Sequence, residues 1–306
     1  MNNEKKPHKE DFPLVSIIVI TYNSARFVLE TLESAKAQTY ENIELIVSDD
    51  ASTDDTVEVC RKWLDENKGR FVRTELITVP ENTGIPANCN RGLRAAKGEW
   101  IKYIAGDDAL LEDAIALYIN FILNNRNALA VQAEREEYHN CFHQRNLLKT
   151  SNRACHPFTE KNITAQKQYN LLLYIKSSVR ASTFFAHRDS IIRVNGFDER
   201  VRLIEDKPMW IRLTKAGIKI HYMNTTTVKY RRHSDSVQKG QKPFTPSFYA
   251  QDSLLYIKLY VKGQISSFAY YKIKLRFLLI VLFNRLGLNR NNGFSRFVFT
   301  AIQKLT

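Results

Sequence analysis

Of the adjacent carboxylate pairs along the chain, three stand where they could do chemistry: Asp49-Asp50, Asp107-Asp108 and Glu205-Asp206. A basic turn, Tyr230-Arg231-Arg232-His233, follows them. Paired carboxylates can accept from a base N–H or a ribose hydroxyl. They can ligate a hard cation such as Mg²⁺ or Mn²⁺ when phosphates supply the remaining oxygens. They can also take the proton of an attacking hydroxyl. Arginines pair with diphosphate, and a histidine can touch phosphate or metal. Each feature has a plainer reading. Asp49-Asp50 before Ser52-Thr53-Asp54 suits a turn and a helix cap. Asp107-Asp108 suits an Asx turn, although adjacent carboxylates repel unless a cation sits nearby. Glu205-Asp206 suits a helix N-terminus, where anions are favoured. The basic run could simply be solvated.

The surrounding elements decide which reading is needed. Leu14 to Ile20 (LVSIIVI) is continuous, apolar and β-branched, as in a strand buried on both faces. Helical spacing follows over Ala25 to Ala37. Strands are expected at Ile43–Val47, Thr74–Val79 and Glu99–Ala105. Helices are expected at Thr56–Glu66, capped by Thr53 or Asp54, at Asn88–Ala96 and at Asp113–Asn124. This alternation predicts a doubly wound, mostly parallel sheet. Such sheets bind ligands beyond the carboxyl ends of their strands. Three of those ends carry the polar clusters 21–24, 48–52 and 106–108.

Beyond Asn127 the pattern weakens into strand, loops and one helix over Ala165–Ser177. Ala181–Ala186 reads as a strand, His187–Val194 and Asp206–Ala216 as helices, and Ile218–Tyr222 and Thr225–Tyr230 as two strands. A glycine-cradled nucleotide is excluded: no GxGxxG follows the first strand, and no GxxxxGK[ST] occurs. Any nucleotide must therefore be held by side chains and a metal.

With these residues in place, the chain resembles family 2 glycosyltransferases of the GT-A fold from about Pro13 to Val237. The resemblance is carried by Pro13–Asn23, by Glu44–Thr56 (ELIVSDDASTDDT), and by Asn82-Thr83-Gly84 through Asn90-Arg91-Gly92. It continues through Ala96–Asp108, Gly196–Glu199, Glu205-Asp206 with Trp210, and Tyr230–Ser236. Where the family usually writes Asp-Asp-Gly-Ser, this chain has Ala51. Ala105 replaces the first Asp of the family's metal motif, and Cys89 replaces an Arg. The resemblance implies an α/β GT-A-like domain over 12–240, with a nucleotide half at 12–110 and an acceptor half at 111–240. A leader at 1–11 and a helical basic extension at 241–306 flank it.

The implied activity is metal-dependent, inverting transfer from a nucleotide-diphosphate-sugar to a glycan or lipid-linked glycan. That chemistry belongs to bacterial surface polysaccharide synthesis. A non-catalytic nucleotide-sugar-binding module is the alternative. Thr21, Tyr22, Asn23, Asp49, Asp50, Asn82, Arg91 and Asp107 are the implied donor residues. Asp108 with His233 would hold Mg²⁺ or Mn²⁺, and Arg231 and Arg232 would bind diphosphate. Asp206 would be the base, with Glu205 and Trp210 on the acceptor side.

Net charge is +13, and it is uneven. Residues 207–306 carry 18 Lys and Arg against 2 Asp and Glu. That excess predicts an anionic partner. Nothing resembles a nucleic-acid-binding module, so nucleic acid is an unlikely partner. Phe268–Phe283 sets Lys272, Lys274 and Arg276 beside a short apolar run. It is either a helix packed on the domain or a peripheral anchor on an anionic membrane surface. The four cysteines, Cys60, Cys89, Cys141 and Cys155, form no CxxC pair. They read as free thiols in a reducing compartment. A cytoplasmic protein, peripheral on the inner membrane face, is the expectation.

Overall fold

The structure, a computed structural model, describes residues 12–152, 156–174, 179–233 and 244–303. The expected leader, Cys155, the Ser234–Ser236 part of the late motif and the expected boundary at 240/241 lie outside these residues.

The first half alternates as the sequence predicts: β1 (Val15–Thr21), α1 (Val28–Lys36), β2 (Ile43–Asp49), α2 (Thr56–Asn67), β3 (Arg73–Ile77), α3 (Ile85–Ala95) and β4 (Trp100–Ala105). These four strands run parallel in the order β3-β2-β1-β4. The apolar run of β1 is buried on both faces. Val15, Ile17 and Val19 join a core with α1 and α2, whereas Ile18 joins one with Cys89 and Leu93 of α3. Continuous apolar character is therefore what the double layer of helices requires.

The second half completes the sheet with β5 (Ala109–Leu110), α4 (Ala114–Asn124), β6 (Ala130–His139), β7 (Leu147–Thr150), α5 (Ala165–Leu173), β8 (Phe185–His187), α6 (Arg188–Arg193), α7 (Asp206–Lys215) and β9 (Ile220–Arg232). β8 lies antiparallel between β4 and β6, and β9 runs parallel to β6. Two expectations are corrected here. The two late strands are one strand, β9. Its register against β6 shifts between Gln132 and Arg135, so the apparent break near Asn224 is a bulge. Ala181–Thr183 is a 3-10 turn rather than strand. The Ser182 carbonyl accepts from Lys102 Nζ at 2.6 Å and the Thr183 carbonyl from Tyr118 Oη at 2.5 Å. Those side chains take acceptors that a sheet ladder would have used.

The chain after Phe244 is helical: α8 (Ser247–Tyr260), α9 (Ser267–Arg285) and α10 (Gly293–Gln303). Tyr256, Ile257, Tyr270, Ile273, Phe277 and Ile280 share one core with Trp210 of α7 and Leu93 of α3. No helix among the described residues is long and apolar enough to cross a membrane.

Candidate active site

A cavity of about 990 Å³ opens where the ends of β1 and β4 meet α7 and α8. The close approach of strand ends is a matter of residue size. At Gly106 a Cβ would lie 2.8 Å from Thr21 Cγ2, so only glycine lets β4 turn this near β1. The turn after β2 is held by Asp49, which is buried. It accepts from Thr21 Oγ1 at 2.8 Å, Ser52 N at 2.8 Å and Ser52 Oγ at 2.6 Å. Ala51 follows with φ of 64°, a left-handed conformation that costs a non-glycine residue about 1–2 kcal/mol. The family's usual glycine would adopt it freely.

Thr21, Tyr22, Asn23, Asp50 and Asn82 line the cavity, and Tyr22 is half exposed. Asp50 accepts from Thr83 Oγ1 at 2.7 Å, Gly84 N at 2.8 Å and Arg91 Nη2 at 2.6 Å. Burial alone would raise its pKa, but these donors outweigh burial and hold the carboxyl below the ordinary range. Two expected donor residues stand behind the wall. Asp49 is consumed by its turn, and Arg91 pairs with Asp50 and Thr83 instead of lining the cavity. Their types suited ligand binding equally well, because turn-holding and ligand-holding use the same groups. Asn23 also spends its side-chain oxygen on Thr53 N, at 2.8 Å.

Asp107 and Asp108 both line the cavity. Asp107 Oδ2 lies 2.9 Å from His233 Nε2, and the His233 ring packs on Phe27 at 4.5 Å. Asp108 is 2% exposed and accepts from Arg231 N at 2.9 Å. Burial, and then the Asp107 charge, push its carboxyl well above the ordinary range. The carboxyls are hard donors and the imidazole a borderline one, a set that suits a divalent cation taking its other ligands from phosphate. Among the described residues no group of three or more His, Cys, Asp or Glu side chains is placed to hold a metal ion, so any cation here must take most of its ligands from the donor.

The basic turn divides differently from its expected role. Arg231 is 1% exposed and held by partners on several sides. Its Nε donates to Asp107 O at 2.7 Å and its Nη1 to Asn140 O at 2.5 Å, and its Nη2 pairs with Glu30 at 3.2 Å. The guanidinium is sandwiched between Phe27 and Phe142. Arg232 pairs with Glu137 at 2.5 Å and does not line the cavity. Neither is placed to hold a diphosphate within the cavity.

The cations that line it are others. Arg135 of β6 and Arg180 meet buried Glu137 at 3.0 and 3.1 Å. Glu137 also pairs with Arg232 and with Lys149. Of these four cations, Arg135 and Arg180 line the cavity. Arg135 stacks 3.7 Å over Tyr230. Sequence reasoning missed Arg135, Arg180 and Glu137. The available signal was the charged run Glu134–Glu137 inside a segment of strand length. Lys102 was missed too: fully buried on β4, its amine is lowered to about 7 by burial, opposed by the Asp108 charge.

Near the third carboxylate pair, Asn90 fixes the Gly196–Glu199 turn, donating to Phe197 O at 2.9 Å and Glu199 at 2.7 Å. Gly196 has φ of 59°, and a Cβ there would meet Asn90 Oδ1 at 2.5 Å. That turn leads to Glu205 and Asp206 at the start of α7, both lining the cavity with Trp210. Trp210 is buried and packs 4.1 Å from Phe184. Burial raises the Asp206 pKa, and the Lys207 charge opposes the rise. Burial and the Asp206 charge push Glu205 up to about 8.

That shift makes a stability prediction. The unfolded chain ionises Glu205 near 4.5, whereas the native state keeps the proton to about 8. Stability therefore falls as pH rises through that window and is flat above it. Glu205→Gln removes the effect. Because the cavity admits water, we discount the full shift to a gain of about 1–2 kcal/mol for the variant at pH 8. Thermal melts at pH 5 and pH 8 check this; an equal gain at both would refute it.

This geometry gives the comparisons with known proteins their meaning. The sequence profile described as glycosyl transferase family 2 matches residues 16–195, which include β1 to β4 and Asp107-Asp108. The chain belongs to glycosyl transferase family 2. By that membership it is a glycosyltransferase, and its sheet is the GT-A type that the motifs implied. Among relatives, an uncharacterized glycosyltransferase of Haemophilus influenzae is 36% identical over 115 residues, covering 38% of this chain and 44% of that protein. The chain thus matches under half the length of that relative. The UDP-Glc:alpha-D-GlcNAc-diphosphoundecaprenol beta-1,3-glucosyltransferase WfaP of Escherichia coli is 28% identical, covering 74% of this chain and 81% of WfaP. Of solved structures, the mannosyltransferase PcManGT of Pyrobaculum calidifontis, in complex with GDP-Man and Mn²⁺, superposes with a TM-score of 0.60. It shares 18% identity and covers 98% of this chain and 76% of its own. At that identity it speaks for the fold alone.

Proposed function

We propose that this glycosyltransferase uses a divalent cation and inverts configuration. It would move a sugar from a nucleotide-diphosphate donor to a hydroxyl of a glycan or lipid-linked glycan, in bacterial surface polysaccharide synthesis. One observation carries the reading. A single cavity is lined by Asp50 and Asp107-Asp108 at the strand ends and by Glu205-Asp206 at the start of α7. The glucosyltransferase activity of WfaP, with UDP-Glc as donor, is in keeping with it.

Tyr22 offers a face for the base, and Asp50, locked by Thr83 and Arg91, accepts from the nucleoside. Asp108 and His233 would hold the cation, with Asp107, paired to His233, on the donor ribose or sugar; the cation when bound would neutralise charge on the diphosphate. Arg135 and Arg180 replace Arg231 and Arg232 as the cationic wall for phosphate oxygens. Asp206 accepts the acceptor proton. As the acceptor oxygen bonds to the anomeric carbon, the bond from that carbon to the diphosphate breaks, and the nucleotide leaves with the electron pair. Glu205, still protonated at neutral pH, donates a hydrogen bond rather than competing as a base. We place the reaction at the cytoplasmic membrane face.

Thermal shift with UDP-glucose and GDP-mannose, each with and without Mn²⁺, tests the binding half. A donor at 100 times its Kd adds about 2.7 kcal/mol, or about 4 °C for a chain of this size. No shift with any donor in Mn²⁺ would refute the reading. Donor binding without transfer or hydrolysis would favour the non-catalytic alternative.

A further inference from the structure

α9 has two apolar faces, and only one is covered. Tyr270, Ile273, Phe277, Ile280 and Val281 pack into the shared core. On the other side Phe268, Tyr271, Leu275, Leu278, Leu282 and Leu286 are 45–77% exposed. Their spacing of three and four residues draws one straight stripe along the helix. Phe294 and Phe297 of α10 are exposed as well, at 59% and 73%. Scattered apolar residues on a surface need no explanation, but an ordered stripe of six does.

Charge flanks the stripe on both sides. At 100° per residue, Lys272 and Arg276 fall along one edge, and Lys274 and Arg285 along the other. Lys272 Nζ lies 5.6 Å from the Phe268 ring centroid and Lys274 Nζ 5.9 Å from that of Tyr271. Their stems thus run beside the stripe with the amines at its rim. From residue 253 to the end the chain has nine Lys and Arg and no Asp or Glu.

We infer that the α9 stripe docks on a phospholipid bilayer bearing anionic headgroups, with the helix axis in the plane of the interface. Apolar side chains enter the acyl boundary while the flanking cations meet the headgroups. A second copy of this chain is the poorer occupant. Pairing two stripes would bring Lys272 and Lys274 against like charges at the seam edges, with no acid to answer them. Its four cations leave α9 not apolar enough to span a membrane. The position also suits the cavity. α8 lines it with Phe248, Gln251 and Asp252 and packs along α9, so the cavity lies one helix from the docked face. The inference rests on the stripe alone and stands or falls apart from the donor chemistry.

Removing the whole C-terminal segment would strip the shared core, so the test uses surface variants of the full chain. The probe is co-sedimentation with vesicles of phosphatidylglycerol and phosphatidylcholine, against phosphatidylcholine alone. The native chain should bind the anionic vesicles and release from them in high salt. Lys272→Gln with Lys274→Gln should weaken binding about 30-fold, at about a kilocalorie per cation near an anionic surface. Leu275→Ser, Leu278→Ser and Leu282→Ser together should weaken it more than about 100-fold. The lysine pair keeps every apolar residue, so it tests the inference even if the triple variant misfolds. Equal binding by native chain and lysine variant would overturn it, as would equal binding to neutral vesicles. A native dimer that ignores vesicles and that the triple variant converts to monomer would assign the stripe to a second copy instead.

Discussion

Asp206→Asn is expected to lower turnover by about 10²–10⁴, the usual worth of general-base help. Donor affinity should stay near that of the native chain. The amide keeps the volume and the acceptor oxygen that now takes the Lys207 N–H at 2.7 Å, so α7 should start unchanged. It cannot take a proton. The measurement is steady-state transfer together with donor titration on the same preparation. Collapse of donor binding would make Asp206 a donor-side or structural group. Full activity would move the base elsewhere, with Glu205 next. The native pH profile should show rate rising with pH along a limb above the ordinary aspartate range, because burial raises the Asp206 pKa. Loss of that limb in the variant would separate a proton-accepting role from a merely structural one.

Asp108→Asn is expected to remove divalent-cation dependence and to cost at least about 10³ in turnover, the scale of losing charge stabilisation on a leaving group. The asparagine is the informative change here. Asp108 Oδ1 accepts from Arg231 N at 2.9 Å, and alanine would leave that buried N–H unpaired. The amide retains the acceptor and deletes only the charge, so the fold should be kept. Burial and Asp107 already push the Asp108 carboxyl toward its neutral form, so the variant should melt no lower than the native chain without cation. Turnover across a Mn²⁺ titration, with a chelator control, reads the outcome. Native activity undiminished in chelator would sink the cation assignment, and activity of the variant near the native level would remove Asp108 from the site.

The sequence by itself determined the first four strands and the helices between them. Local rules suffice there: a doubly buried strand reads as an unbroken apolar run, and a strand end reads as a polar cluster after it. β1 to β4 therefore fell where the runs of Leu14–Ile20, Ile43–Val47, Thr74–Val79 and Glu99–Ala105 placed them, to within a few residues. The family motifs carried the rest of that stretch, down to Gly106-Asp107-Asp108.

What only the tertiary structure decided is the partner of each polar group. Asp49 and Asp50 are neighbours of one type, yet Asp49, the last residue of β2, is taken by Ser52 and Thr21, while Asp50, in the turn beyond it, meets Thr83 and Arg91 at the cavity. Arg231 and Arg232 looked like diphosphate ligands, but Glu30 and Glu137 hold them, and those partners are distant in sequence. Arg135 and Arg180 took their place at the cavity wall through pairing with Glu137, which no local pattern encodes. The two faces of α9 are the same case. A helix apolar nearly all round shows no preferred side by its periodicity, so which face is covered follows from what packs against it. The core took Tyr270, Ile273 and Phe277, and left Leu275, Leu278 and Leu282 facing outward.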